Sequence, residues 1–267
     1  MPLGRITLSA TLVCAPALAQ WLNYPTPGIP RLPDGKPNLL GPAPRTADGH
    51  PDLSGLWEPV GPANSSFVGN SARDPQFADV GKEVKGGLPL QPWAADLLKS
   101  RLAVDSKDDP DSKCLPLGPI KMHLHPYPRR IIQTPGLLVI LFERDTAYRQ
   151  LFTDGRLLPE DPQPGFNGYS TGKWDHDTLV VETVGIKDGT WLDVRGAPLT
   201  SAAKITERFR RPSFSKLQID ITVDDPKAYT MPWSIHVDQA FAADTDLLEF
   251  VCLENEKDQS HLNGGIR

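Results

Sequence analysis

Cysteine is scarce in this chain, with three in 267 residues, and so are aromatic side chains, at 7% of the total. An excess of basic residues is missing: 28 Lys and Arg stand against 33 Asp and Glu, a formal charge of −5. Binding to nucleic-acid backbone needs a basic face, so nucleic acid is excluded as an expected partner, and anionic membrane surfaces are disfavoured too. No segment after residue 19 approaches the roughly 20 apolar residues that a membrane-spanning helix requires. The chain has no Gly-x-Ser-x-Gly elbow, no phosphate-cradling Gly loop, no dinucleotide fingerprint and no zinc-protease helix. No internal repeat is visible. Asn64-Ser65-Ser66 matches a glycosylation triplet, which has meaning only in a eukaryotic host.

What is present begins with the first twenty residues. A positive charge at Arg5, an apolar stretch from Ile6 to Ala17 and the small-x-small ending Ala17-Leu18-Ala19 read as a signal peptide over 1–19, removed before Gln20. Cleavage discards Cys14. The two remaining cysteines, Cys114 and Cys252, would then meet an oxidising periplasmic or extracellular compartment, and we expect them to form one disulfide. The chain-entropy model values such a long closed loop at about 5 kcal/mol.

The 28 Pro and 22 Gly are spread between short apolar runs, which reads as many turns and few helices. Residues 20–51 form a Pro-rich arm of extended backbone, and Trp21, Leu22 and Tyr24 favour an arm that docks on the folded part. One persuasive helix spans 91–103, with Pro92 in its first turn and Trp93, Leu97, Leu98 and Leu102 at helical spacing. From Arg129 onward the apolar period is two. Short strands follow one another with links of Gly, Pro, Asp or Asn, beginning with a hairpin at Pro135-Gly136. Nine or ten such strands make an antiparallel meander, and a long meander either closes into a barrel or leaves a sticky edge. The reading is a mainly β chain: a single barrel domain over 52–258 with one or two short helices, and a flexible tail over 259–267.

Asp52-Leu53-Ser54-Gly55-Leu56-Trp57 carries a Gly-x-Trp on a strand that opens the meander. This resembles the signature of lipocalins and related calycin barrels, and 173–183 is similar to a hairpin of the fatty-acid-binding branch. The resemblance implies a barrel whose Trp57 plugs the closed end, covered by an Arg from a late strand, with Arg208 or Arg210 as the matching candidates. Through Lys113-Cys114-Leu115-Pro116, Pro126-Tyr127-Pro128, Asp154-Gly155-Arg156, 206–211 and Cys252-Leu253-Glu254-Asn255-Glu256, the chain also resembles an uncharacterised family of exported bacterial β-rich proteins. That likeness implies secretion and no activity.

On the strand 204–210, Ile205, Glu207 and Phe209 share one face, so a carboxylate sits among apolar side chains. An inward Glu207 must be paired, hydrated or shifted in pKa, the usual state of a catalytic or ligand-anchoring group. The bland alternative is a buried ion pair with Arg149 or Arg195. His123 and His125, two apart, would share a face of an extended segment and, with a third ligand such as His236, could hold a metal; a solvated or hydrogen-bonded pair is the favoured alternative, so no cofactor is expected. Asp175-His176-Asp177 reads as a solvated hairpin tip.

Two functions compete, and a third reading, an envelope protein whose sheet only packs against partners, would be favoured by a solid barrel centre without a cavity. The first is an exported barrel binding a small, partly apolar or ring-bearing ligand through Trp174, Tyr127, Tyr148, Arg149, Glu182 and Trp191. Core packing explains these aromatics equally well. The second is an isomerase, lyase or hydrolase on the same scaffold, with Glu207 as acid or base and His123, His125 or His236 assisting.

Overall fold

The computed structural model describes residues 24–60, 79–252 and 254. The expected leader over 1–19, the glycosylation triplet and the expected tail over 259–267 lie outside the described residues. Nine strands form one closed barrel in chain order: β1 Gly55–Pro59, β2 Arg129–Thr134, β3 Leu137–Phe142, β4 Tyr148–Phe152, β5 Tyr169–Asp175, β6 Thr178–Val184, β7 Lys204–Ser213, β8 Lys216–Asp224 and β9 Trp233–Phe241. Closure comes from β1 pairing with both β2 and β9, so no edge of the meander is left open.

One junction departs from the expected antiparallel pattern. β4 and β5 run parallel, and only Leu151 with Ser170 and Phe152 with Thr171 are paired. The reason is parity: an odd number of strands cannot alternate direction all the way round a ring, so one parallel neighbour is forced. Parallel pairing requires a long return connection. Residues 153–168 supply it, with Pro159, Pro162 and Pro164 keeping the segment out of regular structure.

Period-two alternation sets the inward face. Along β7, Ile205, Glu207, Phe209 and Arg211 are buried while Lys204, Arg208 and Arg210 are exposed. Leu217, Ile219, Ile221 and Val223 of β8 and Ile235 and Val237 of β9 join Ile140, Leu151, Leu179 and Val181 in one cluster. Each fully buried aliphatic side chain contributes about 1.5–3 kcal/mol. Among the described residues, the long excursion between β1 and β2 carries two α-helices, α1 Pro92–Leu102 and α2 Lys121–Leu124. α1 lies at the surface: Ala94 is its one fully buried residue and Trp93 is 46% exposed, so the Leu-rich stripe packs only in part. α2 is buried on every side, and Ile120 and Leu124 enter the main cluster. Inward side chains of the strands and of this turn thus pack together in the barrel interior.

Trp57 is fully buried, donates from Nε1 to the Leu53 carbonyl at 3.0 Å, and meets the Phe241 ring edge-on. Gly55 at φ +143° lets the backbone pass beneath Phe241, where a Cβ would come within 2.5 Å of the ring. The arginine over the indole is Arg211, at 4.8 Å, which corrects the expectation of Arg208 or Arg210. Those two face outward and pair with Asp175 and Asp220. Arg211 has the same parity as Phe209 and so points inward. Its guanidinium donates to the carbonyls of Asp52, Ser54 and Phe214, fastening the chain before β1 to the β7–β8 turn.

The described part of the arm lies across this end. The Gly41 carbonyl accepts from the Phe214 amide at 2.9 Å, Arg31 pairs with Asp244 and Arg45 with Asp177, and His50 stacks on Trp174 with ring centres 4.5 Å apart. Near the opposite end, Cys114 and Cys252 form the expected disulfide, with Cα atoms 5.7 Å apart and 138 positions between them in sequence.

Candidate functional site

One polar cluster in the interior is built by six strands and α2. Glu207, fully buried on β7, is gripped by Arg149 of β4: Nη1 donates to Oε1 at 2.8 Å and Nη2 contacts Oε2. Arg149 Nη2 also donates to Ser170 Oγ on β5 at 3.1 Å and to Thr183 Oγ1 on β6 at 2.8 Å. One guanidinium thus ties β4 to β5, β6 and β7 where the β4–β5 ladder is two pairs long. From the other side α2 presents His123, whose Nε2 lies 2.8 Å from Glu207 Oε1. Arg129 Nη1 lies 3.3 Å from His123 Nδ1 and donates to the His123 carbonyl at 3.0 Å, and Gln239 Nε2 donates to the same carbonyl at 3.1 Å. A neutral imidazole with its proton on Nε2 satisfies both contacts.

Charge follows from these partners. Burial opposes ionisation of Glu207, but the charge and hydrogen bonds of Arg149, helped by His123, outweigh it and hold the carboxyl at about 2. Burial lowers His123 to about 4 despite the attraction of Glu207. At neutral pH the set is a carboxylate, the guanidinium groups of Arg149 and Arg129 and a neutral imidazole, with both Glu207 oxygens held by Arg149 and His123. Such a group specifies geometry and does not trade protons near neutrality.

His125 belongs to another cluster. Residues 121–125 are a helical turn and not the extended segment the spacing suggested, so His123 and His125 project to different surroundings. His125 Nε2 lies 3.6 Å from Asp111 Oδ2 and its ring stacks on Tyr127. Asp111 also holds Arg144 at 2.8 Å, while the buried Lys121 pairs with Asp109 at 2.6 Å. Burial lowers His125 to about 4, with Asp111 pulling the other way. For Asp111 burial raises the pKa, but His125, Lys121 and Arg144 together bring it to about 2. Among the described residues no group of three or more His, Cys, Asp or Glu is placed to hold a metal ion.

The remaining candidates are dispersed. His236 stands on the outer face of β9 between Asp220 and Asp238, on the opposite side of the barrel wall from the inward Glu207. Glu182 is outward on β6, paired with Lys204. Trp191 is buried beneath Arg101 in the 185–203 loop region, and Tyr127 lies between His125 and Phe250. Arg195 pairs with Asp79 and leaves Glu207 to Arg149.

Two cavities flank the β4–β5 junction. One, of about 440 Å³, opens beneath the arm, where Trp174, Leu138 and Leu179 make an apolar floor and Thr46, Asp48 and Gln133 stand at the side. The other, of about 520 Å³, lies over the junction against Tyr148, Arg149, Phe152 and Tyr169, with Asp145 and Asn167 also lining it. Sequence reasoning placed Trp174, Tyr148 and Arg149 in one ligand-binding set; Trp174 lines the first cavity, and Tyr148 and Arg149 line the second. Asp145, Asn167 and Leu138 were missed, since a turn aspartate and a strand leucine carry no signal of their own. Comparisons of the chain with known protein families, curated proteins and solved structures found no match.

Proposed function

We propose that this chain is an exported barrel protein that binds a small, partly apolar, ring-bearing molecule in the cavity beneath the arm. The observation that carries the reading is the indole of Trp174. His50 lies parallel to it, with 5° between the ring planes, so this face already accepts a flat ring, and a 440 Å³ space adjoins it. Ligand cavities of a few hundred Å³ with apolar walls and a few polar groups are the common pattern for small-molecule sites. The committed state of Glu207 supports binding over acid–base chemistry in the interior. Export rests on the leader-like residues 1–19 and is favoured by the Cys114–Cys252 disulfide.

Titration with 1-anilinonaphthalene-8-sulfonate tests the cavity. One saturable site is expected, weakened by about tenfold or more in Trp174→Ala and in Leu138→Trp, and unchanged in Tyr148→Ala. Binding that ignores both cavity substitutions contradicts the reading.

A further inference from the structure

The cavity over the β4–β5 junction differs in chemistry from the one beneath the arm. Asp145 follows β3 with φ +61° and Thr146 continues at φ +48°, two successive left-handed residues without a glycine. That conformation costs each non-glycine residue roughly 1 kcal/mol or more, so it persists only because its surroundings hold it. It places at the cavity a side chain that is only 12% exposed. Among the described residues no hydrogen-bond donor reaches either Asp145 carboxylate oxygen, nor Oδ1 of Asn167 across the same cavity. Arg144 approaches Asp145 only to 3.6 Å, because its guanidinium is turned to Asp111 at 2.8 Å. Arg149 at the floor is committed to Glu207, Ser170 and Thr183, so its charge is already matched.

The walls are aromatic, and the chain shows what their faces accept. Arg156 stands 3.9 Å from the centre of the Phe152 ring and donates to the Tyr169 hydroxyl at 3.2 Å. Tyr169 in turn stacks on Phe152. Ring faces with unfilled acceptors beside them are the standard recognition elements for an organic cation.

We propose that this cavity is a second binding site, distinct from that beneath the arm, and that it takes a small organic ammonium ion. The charged nitrogen faces Asp145 and Asn167, and the hydrocarbon body lies on Tyr148, because the Phe152 ring is already covered by Arg156 and Tyr169.

Calorimetric titration of the full chain with benzylammonium, with benzyl alcohol as the uncharged isostere, tests this. Benzylammonium is expected to bind at least about tenfold more tightly than the alcohol. Asp145→Asn should cost about tenfold or more, and asparagine tolerates the left-handed backbone so the fold is kept. Gln150 is exposed at the lip of the cavity. Gln150→Glu is expected to tighten binding and Gln150→Lys to weaken it, neither touching the core. Trp174→Ala should leave it unchanged. Equal affinity for alcohol and ammonium, no saturable binding up to about 10 mM, or indifference to Asp145→Asn and the Gln150 pair would each overturn the proposal. Loss in Trp174→Ala would place the cation beneath the arm and overturn it equally.

Discussion

The β7–β8–β9 wall and the β4–β5 junction close the same barrel by different physics. In the wall, strands of nine or ten residues pair along most of their length, and β8 buries the aliphatic row Leu217, Ile219, Ile221 and Val223. At the junction two residue pairs remain, and a buried guanidinium reaching Ser170, Thr183 and Glu207 does what the ladder does elsewhere. Apolar burial is forgiving and non-directional, whereas the polar tie depends on every partner being present. Both cavities flank the weakly laddered side.

The disulfide offers the largest expected effect. Cys114→Ser with Cys252→Ser should lower stability by about 5 kcal/mol on the chain-entropy account, read from denaturant midpoints. Because Cys114 lines the cavity over the junction, the loss should be accompanied by weaker protection of β4 than of β8. Equal protection would erase the distinction drawn between the two regions.

Arg149→Met comes next. Leaving Glu207 with a single partner in the interior should cost about 3–5 kcal/mol. Ile219→Val, an equally buried change in the wall, should cost about 0.5–1.5 kcal/mol. Comparable costs at the two positions would show that the junction is held by packing after all.

Acid should act on the junction side first. His123 and His125 titrate at about 4 in the fold and at 6.5 when free, so between these values the unfolded chain binds more protons and stability falls as pH drops. Glu207 and Asp111, depressed to about 2 from 4.5 and 3.8, extend the loss to lower pH in the same direction. Each group contributes about 1.4 kcal/mol per pH unit inside its window. Urea midpoints measured from neutral pH downward should decline from about pH 6.5; a flat profile would contradict the burial assigned to these histidines.

The smallest effect is expected at the arm. Arg45 and Asp177 are both more than half exposed, so Arg45→Ala should cost at most about 1 kcal/mol. Its interest lies in the cavity, where a loosened hairpin over 45–51 should speed ligand entry in stopped-flow mixing while leaving the melting curve nearly unchanged.

Much of the wall was legible in the residues. Alternation through Ile205, Glu207 and Phe209 told which face is inward, and continuing the same count reaches Arg211, the arginine over Trp57. Arg149 shares parity with Leu151 and was already a candidate partner for Glu207. The junction was not legible, because two pairs leave no periodic trace and residues 153–168 read simply as loop. α2 was hidden for a related reason: a single helical turn has no repeat, and Pro126 and Pro128 directed attention to a bend. His123 was one of three histidines offered as an assistant to Glu207, but without α2 nothing in the residues singles it out over His125 and His236 to meet a carboxylate 84 positions away.

Native-state hydrogen exchange in the wild type and in Arg149→Met tests the central claim, that side chains rather than backbone pairing close the β4–β5 junction. The account predicts that amides of 148–152 and 169–171 come to exchange through a local opening in the variant, while those of β7 and β8 lose only the protection expected from the lower global stability. Uniform loss across all nine strands, with the junction no more labile than the wall, would contradict it.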